Sequence, residues 1–230
     1  MLVCGKNVCR DLLKKGNNIK KVYLVNNFND KDIVSIVEKL NLNVIYKEKR
    51  EIDNLCPNNN QGIILDIPDY DYGKIEDIDE DFVVLLDHLE DPHNLGAIIR
   101  TCEAAGVKSV VIPKDRQVQV NSTVMKTSVG TLNNVNVIRV TNLNNAIDEL
   151  KKMGFWIVGT SLTDKSIDYR KIDYSGKIAL VIGNEGSGIS ALVSKKCDFI
   201  AKIPMYGETN SLNASVAAGI MIYEIIRNRK

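Results

Sequence analysis

Polar residues able to do chemistry gather at three places in this sequence, each beside a glycine or a helix start. The first is Asp91–Gly106. There Pro92 and Asn94 precede an apolar stripe of Leu95, Ile98, Ile99, Cys102 and Ala105, and Gly106 follows it. The spacing predicts a helix over 95–105, with Asn94 as its N-cap and Gly106 just past its end. Arg100 lies off the stripe, one turn beyond Gly96. Helical side chains lean toward the amino end, so its guanidinium can reach back over Gly96 toward Asn94. A guanidinium beside the bare N–H groups of a helix start makes an anion site. A solvated surface arginine is the alternative. The second place is Gly183-Asn184-Glu185-Gly186-Ser187-Gly188, where three glycines surround one carboxylate. The third is Ser211-Leu212-Asn213, which leads into a long apolar helix after Gly207-Glu208-Thr209-Asn210. Ser and Asn are ordinary caps there. The meeting of Asn94, Arg100, Glu185, Ser211 and Asn213 at strand ends and helix starts is what points to a site.

The elements that would position these groups come at a regular rhythm from Phe82 onward. Strands are predicted at 82–86, 109–112, 135–140, 155–158, 178–182 and 199–203, with helical patterns at 95–105, 143–153 and 212–227. Near-continuous apolar strands alternating with helices mean a parallel sheet covered on both faces. Such sheets hold their ligands at the carboxyl ends of the strands. A dinucleotide-binding fold is the obvious first candidate, but the loop after the first of these strands reads Asp87-His88-Leu89-Glu90-Asp91-Pro92-His93-Asn94, without GxGxxG. The second strand ends Ile112-Pro113-Lys114, where a ribose-binding acid would stand. A nicotinamide-dependent oxidoreductase is therefore disfavoured. Trp156 opens a buried strand and is read as core.

Before Phe82 the chain reads as a smaller α/β unit. It has a helix over 5–16, strands at 21–25, 44–46 and 63–65, and a second helix capped by Asp30. It carries no catalytic constellation. Residues 1–68 hold 11 basic and 8 acidic side chains, residues 69–81 one lysine and seven acids, and residues 82–230 hold 18 basic and 14 acidic. Two mildly basic blocks thus flank an acidic stretch, read as a solvated linker. The expected division is 1–68, a linker over 69–80, and 81–230.

No apolar run reaches the length of a membrane span, and Met1-Leu2-Val3-Cys4-Gly5 has no signal-peptide character. Five cysteines, Cys4, Cys9, Cys56, Cys102 and Cys197, show no CxxC spacing, so reduced thiols, a cytoplasmic protein and no zinc site are expected. The two histidines, His88 and His93, do not make a metal pair.

Asp91-Pro92-His93-Asn94-Leu95-Gly96-Ala97-Ile98-Ile99-Arg100 resembles the first motif of the SpoU (TrmH) family of RNA ribose 2′-O-methyltransferases. Ile182–Gly188 resembles the second, and Ile203-Pro204-Met205 with Ser211–Ala217 the third. Val111–Arg116, Gly5–Val8 and Gln61–Ile63 resemble the ribosomal-RNA branch typified by RlmB, so the likeness covers nearly the whole chain. Departures are Ala214, where valine is usual, and His88, where glycine or asparagine is common.

The resemblance implies a trefoil-knotted parallel-sheet domain of the SPOUT superfamily behind a small ribosomal-protein-like RNA-binding domain. It also implies a homodimer and S-adenosylmethionine as methyl donor. By motif, Gly183, Gly188, Ile203, Met205 and Leu212 hold the cofactor, with Thr160 and Gly159 nearby, while Asn94, Arg100, Glu185, Ser211 and Asn213 surround the reacting ribose. The expected substrate is a guanosine of large-subunit (23S) rRNA, gripped partly by Lys14, Lys15, Lys20 and Lys21. A tRNA substrate, or a silent RNA-binding or ribosome-assembly protein, is the alternative. No metal and no membrane are expected.

Overall fold

The computed structural model describes every residue except Asn17, Asn58, Val129, Asp164, Glu185, Ser187 and Lys230, and the side chain of Asn133. It divides into two compact units. One comprises Met1–Asp71 with Val120–Gly130, the other Tyr72–Gln119 with Thr131–Lys230.

The first unit holds a four-stranded sheet. Its strands are β1 (Leu2–Cys4), β2 (Lys21–Val25), β3 (Val44–Lys47) and β4 (Ile63–Asp66), in the order β1-β4-β2-β3. β2 and β3 are parallel, and β4 runs antiparallel to β1 and β2. The helices are α1 (Lys6–Lys14), α2 (Lys31–Lys39) and α3 (Lys49–Leu55). α1 buries Val8, Leu12 and Leu13, and Gly16 behind it has φ +68°. The Asp30 carboxylate accepts the Ile33 amide at 3.3 Å and caps α2. β1 and α3 are not evident in the sequence, one being three residues long and the other burying only Ile52. α3 is held by a local device instead, a capping box between Glu48 and Glu51.

A fourth helix packs with this unit although the sequence places it far downstream. Following α4 (Pro92–Ala104) in the chain, α5 (Ser122–Thr127) is capped by Asn121, whose side chain accepts the Thr123 and Val124 amides. Lys126 Nζ lies 3.0 Å from Cys4 Sγ. Cys4 is disulfide-bonded to Cys56. The sequence expectation of five reduced thiols therefore fails for this pair, because folding brings together two cysteines 52 positions apart. Cys9, Cys102 and Cys197 are free.

The second unit is built on seven strands. They are β5 (Phe82–Asp87), β6 (Ser109–Pro113), β7 (Asn136–Val140), β8 (Phe155–Thr160), β9 (Ile167–Asp168), β10 (Lys177–Gly183) and β11 (Phe199–Lys202), in the order β7-β6-β5-β10-β8-β11-β9. Every pairing is parallel. All residues of β5 and β6 are buried, as two covered faces require. Val83, Leu85, Ala179 and Val181 share a core with Leu143, Ala146, Ile147 and Leu150 of α6 (Leu143–Lys152) and with Val193 of α7 (Ala191–Lys196). Alternate residues point the other way. There α4 and α8 (Ala214–Arg227) pack on each other, with Ile98, Ile99, Cys102, Ala218, Met221, Ile222 and Ile225 all buried.

Two expectations need correction. The acidic stretch is not a solvated linker: Ile75 and Ile78 are buried in the core of the second unit, and Gly73 bridges to Ile138. Most of its acids are exposed around two anchoring isoleucines, with Glu80 turned in to accept the Lys108 amide, so charge count concealed the anchors. Trp156 is not core; it is 53% exposed and lies against Phe199 with ring centroids 6.0 Å apart.

Candidate active site

A cavity of about 390 Å³ opens at the carboxyl ends of β8, β10 and β11. The chain lays β5, β6 and β7 outward on one side and the remaining strands on the other, and the cavity opens on that second side. That crevice is where open parallel sheets take ligands.

Four segments line the cavity. Thr160, Ser161 and Leu162 come from the end of β8, and Ile182, Gly183, Asn184, Gly186 and Gly188 from β10 and the loop behind it. Ala201, Lys202, Ile203 and Met205 follow along β11, and Asn210, Ser211, Leu212, Ala214 and Ala217 complete the wall. Ile182, Ile203, Leu212, Ala214 and Ala217 form an apolar shelf. Ser161, Asn184, Lys202, Asn210 and Ser211 add polar groups to the same wall, which suits a ligand of mixed polarity. The loop behind β10 needs its glycines. Asn184 and Gly188 exchange backbone hydrogen bonds of 3.0 and 2.9 Å, folding the loop back over Gly183. A Cβ on Gly183 would fall closer than 3.0 Å to the backbone of Gly188 and Ile189. Gly188 itself has φ +66°, the left-handed region that glycine adopts without penalty.

Six of the seven residues expected to hold a cofactor line this cavity: Thr160, Gly183, Gly188, Ile203, Met205 and Leu212. Gly159 does not. A Cβ there would come within 3.0 Å of Cys197 Sγ and Ile189 Cδ1, so that glycine serves close packing behind the site. Burial pushes the Cys197 thiol up to about 12, which leaves it unreactive. The Thr160 hydroxyl donates to the Val181 carbonyl at 3.1 Å and ties β8 to β10 beneath the cavity.

The expected catalytic residues are placed as follows. Ser211 lines the cavity. Asn213 caps α8, its Oδ1 accepting the Ser215 amide at 2.9 Å. Its Nδ2 donates to Oδ1 of Asn94 at 3.0 Å, joining the starts of α4 and α8. Asn94 is not the N-cap. α4 starts at Pro92 with Asp91 as cap, the Asp91 carboxylate accepting the His93 amide at 2.8 Å, and Asn94 lies buried in the first turn. A proline in the first turn costs no hydrogen bond, which is why the helix extends upstream of the apolar stripe. Arg100 is exposed on α4 and forms no hydrogen bond or ion pair with the described residues. Glu185 lies outside the described residues. Among the described residues no group of three His, Cys, Asp or Glu side chains could hold a metal ion.

A layer of polar residues behind the cavity went unread in the sequence. Asp87, Gln117 and Asn184 bind the turn after β5, with Asp87 and Gln117 buried. The signal was a carboxylate ending an otherwise apolar strand.

A covered parallel sheet, a cavity at the carboxyl ends of its strands and a wall that mixes apolar side chains with Ser161, Asn184, Asn210 and Ser211 define a class: an α/β enzyme that binds a small cofactor of mixed polarity. Comparison with known proteins narrows it. Residues 81–223 match the SpoU rRNA Methylase family, and residues 2–73 match RNA 2′-O ribose methyltransferase substrate binding. A Bacillus subtilis (strain 168) protein named as a TrmH family tRNA/rRNA methyltransferase, YacO, is 38% identical over 238 residues, covering 99% of this chain and 95% of its own. The structure of an AdoMet-bound rRNA methyltransferase from Sinorhizobium meliloti superposes with a TM-score of 0.80 at 27% identity, over 98% of this chain and 86% of its own. The A. aeolicus TrmH/SpoU tRNA modifying enzyme is 36% identical with a TM-score of 0.60, over 67% of this chain and 78% of its own. The chain belongs to the SpoU (TrmH) family and is an S-adenosylmethionine-dependent RNA 2′-O ribose methyltransferase.

Proposed function

We propose that the protein methylates a ribose 2′-hydroxyl of large-subunit ribosomal RNA, a guanosine by the motif resemblance. The observation carrying this reading is coverage. The rRNA methyltransferase from S. meliloti matches 98% of this chain, through both units, whereas the A. aeolicus tRNA modifying enzyme matches 67%. A substrate-binding unit with a basic surplus suits a large folded RNA held through phosphates, with Lys14, Lys15, Lys20 and Lys21 as contacts.

Gly183, Gly188, Ile203, Met205 and Leu212 would hold the cofactor, with the apolar shelf and the polar residues of the same wall fitting its mixed character. When bound it supplies a methyl group already activated on a sulfonium. The protein's tasks are to position the ribose and manage one proton, and positioning alone contributes roughly 7–11 kcal/mol. Asn94 and Asn213, joined across two helix starts, are assigned to fixing the ribose, with Ser211 beside them on the cavity wall. A guanidinium is a hydrogen-bond donor only. Arg100 is therefore assigned to clamping an RNA phosphate and stabilising the developing alkoxide, while the 2′-hydroxyl proton leaves to that phosphate or to water. Glu185 is assigned to the same ribose by motif.

The proposal includes a trefoil-knotted thread of the second unit, action in the cytoplasm, and a homodimer. The dimer is supported by Val216 and Tyr223, two turns apart on one face of α8 and both about half exposed. The test is methyl transfer to unmodified 23S rRNA and to tRNA under equal conditions, with the modified ribose mapped. Label on one rRNA ribose is the expected result; label on tRNA alone overturns the substrate assignment.

A further inference from the structure

The turn after β5 carries a hydrogen-bonded network that the transfer chemistry does not use. Asp87, the last residue of β5, is 1% exposed. One carboxylate oxygen meets Nδ1 of His88 at 2.6 Å, and the other accepts the Ser190 amide at 2.6 Å. His88 has φ +63°, an uncommon and costly conformation for a residue with a side chain. That conformation presents its carbonyl to Asn184, whose Nδ2 donates to it at 3.0 Å. Leu89 is held on both sides, its amide by Gln117 Oε1 at 2.6 Å and its carbonyl by the Val118 amide at 2.8 Å.

Asn184 and Ser190 bracket the glycine loop, and Asn184, Gly186 and Gly188 line the cavity. The Asp87–His88 turn therefore grips the loop at both ends, through the Ser190 amide and the Asn184 side chain. Beneath it, Gly183 sits opposite Asp87 in the β10–β5 register. We propose that Asp87, acting with His88, is a positioning residue that holds the glycine loop in its cofactor-binding shape. The inference rests on the reading that this cavity takes S-adenosylmethionine. The buried carboxylate is the acceptor for both the Ser190 amide and the imidazole N–H, so its removal orphans both donors. Buried polar networks of this kind fix one arrangement only when every member is satisfied.

The test is S-adenosylmethionine affinity by calorimetry for wild type, Asp87→Ala, Asp87→Asn and Ala217→Phe, at a temperature where circular dichroism shows each fully folded. Ala217 lines the cavity from α8, and phenylalanine there would fill it. The expected result is a Kd raised tenfold or more in Asp87→Ala, a smaller rise in Asp87→Asn, and loss of binding in Ala217→Phe. KM for the cofactor should rise with Kd. Asp87→Asn keeps an acceptor for Ser190 but turns a donor toward the ring. With only two histidines in the chain, ¹⁵N spectra should show His88 switching from the Nδ1–H to the Nε2–H tautomer. Wild-type affinity in both Asp87 variants, with Ala217→Phe dead, would overturn the positioning role while leaving the cavity assignment intact. Unchanged binding in Ala217→Phe would remove the cavity assignment, and the proposal with it.

Discussion

Substituting Gly183 by alanine is the sharpest test of how the glycine loop makes the site. Gly183 ends β10 and lies under the Asn184–Gly188 bridge, so its α-carbon faces backbone. The added methyl would sit closer than 3.0 Å to Gly188 and to the Ile189 amide nitrogen. No rotamer change relieves a clash with main chain. Either the loop lifts away, breaking its two hydrogen bonds, or β10 shifts against β5. Overpacking of this kind costs about 1–3 kcal/mol. For a chain of this size that is a fall in Tm of roughly 2–12 °C. The functional effect should exceed the stability effect, because a loop displaced by about 1 Å can cost about 10²-fold in rate. The control is Gly186→Ala, where among the described residues the new methyl meets only Asn184 Oδ1, at 3.5 Å. Thermal melts, cofactor calorimetry and methyl transfer on both variants make the assay. Gly183→Ala with wild-type Tm and affinity would refute the argument that the loop closes over this residue.

Three further outcomes are expected. Gly159→Ala should lose about 1–3 kcal/mol of stability through its clash with Cys197 and Ile189, yet keep cofactor affinity at a permissive temperature; weakened binding by the folded variant would return Gly159 to the cofactor site. Asn213→Ala removes the α8 cap and a partner of buried Asn94, so chemical denaturation should show a loss of about 0.5–2 kcal/mol for the cap alone, accompanied by a drop in kcat. Burial raises the Glu80 carboxyl above its usual range. A raised folded-state value favours folding at low pH, and that contribution is lost as pH rises through it. Glu80→Gln, which keeps an acceptor for the Lys108 amide, should thus be more stable than wild type at pH 7.5, with the gap closing toward pH 4 in urea melts; a gap independent of pH would contradict this.

Much of the second unit is legible in the sequence because its strands are buried on both faces. Runs such as Ala179–Ile182 admit few other readings, and six of the seven strands are found this way. The seventh, β9, is two residues long at the sheet edge and has no pattern to read. Helix starts are less legible. Asn94 and Asp91 are both good caps, and the choice between them depends on whether Pro92 falls inside the helix. Trp156 misleads because the face it shares with buried Val158 is covered only farther along β8. The short helix α5 and the Cys4–Cys56 pair depend on contacts distant in sequence, which periodicity cannot express. The cavity residues are legible through their motifs, whereas Asp87, a carboxylate ending an apolar strand, meets its partner Ser190 from a segment that no local pattern predicts.

The proposed reaction places a methyl group on a ribose 2′-oxygen, with Arg100 as the RNA clamp. The direct measurement uses labelled S-adenosylmethionine, unmodified ribosomal RNA, and wild type beside Arg100→Ala, with nucleosides resolved after digestion. The predicted result is a single 2′-O-methylated nucleoside in the wild-type digest, reduced at least about 10²-fold in the variant while cofactor affinity holds. Label on a base, or an Arg100→Ala enzyme with full activity, would contradict it.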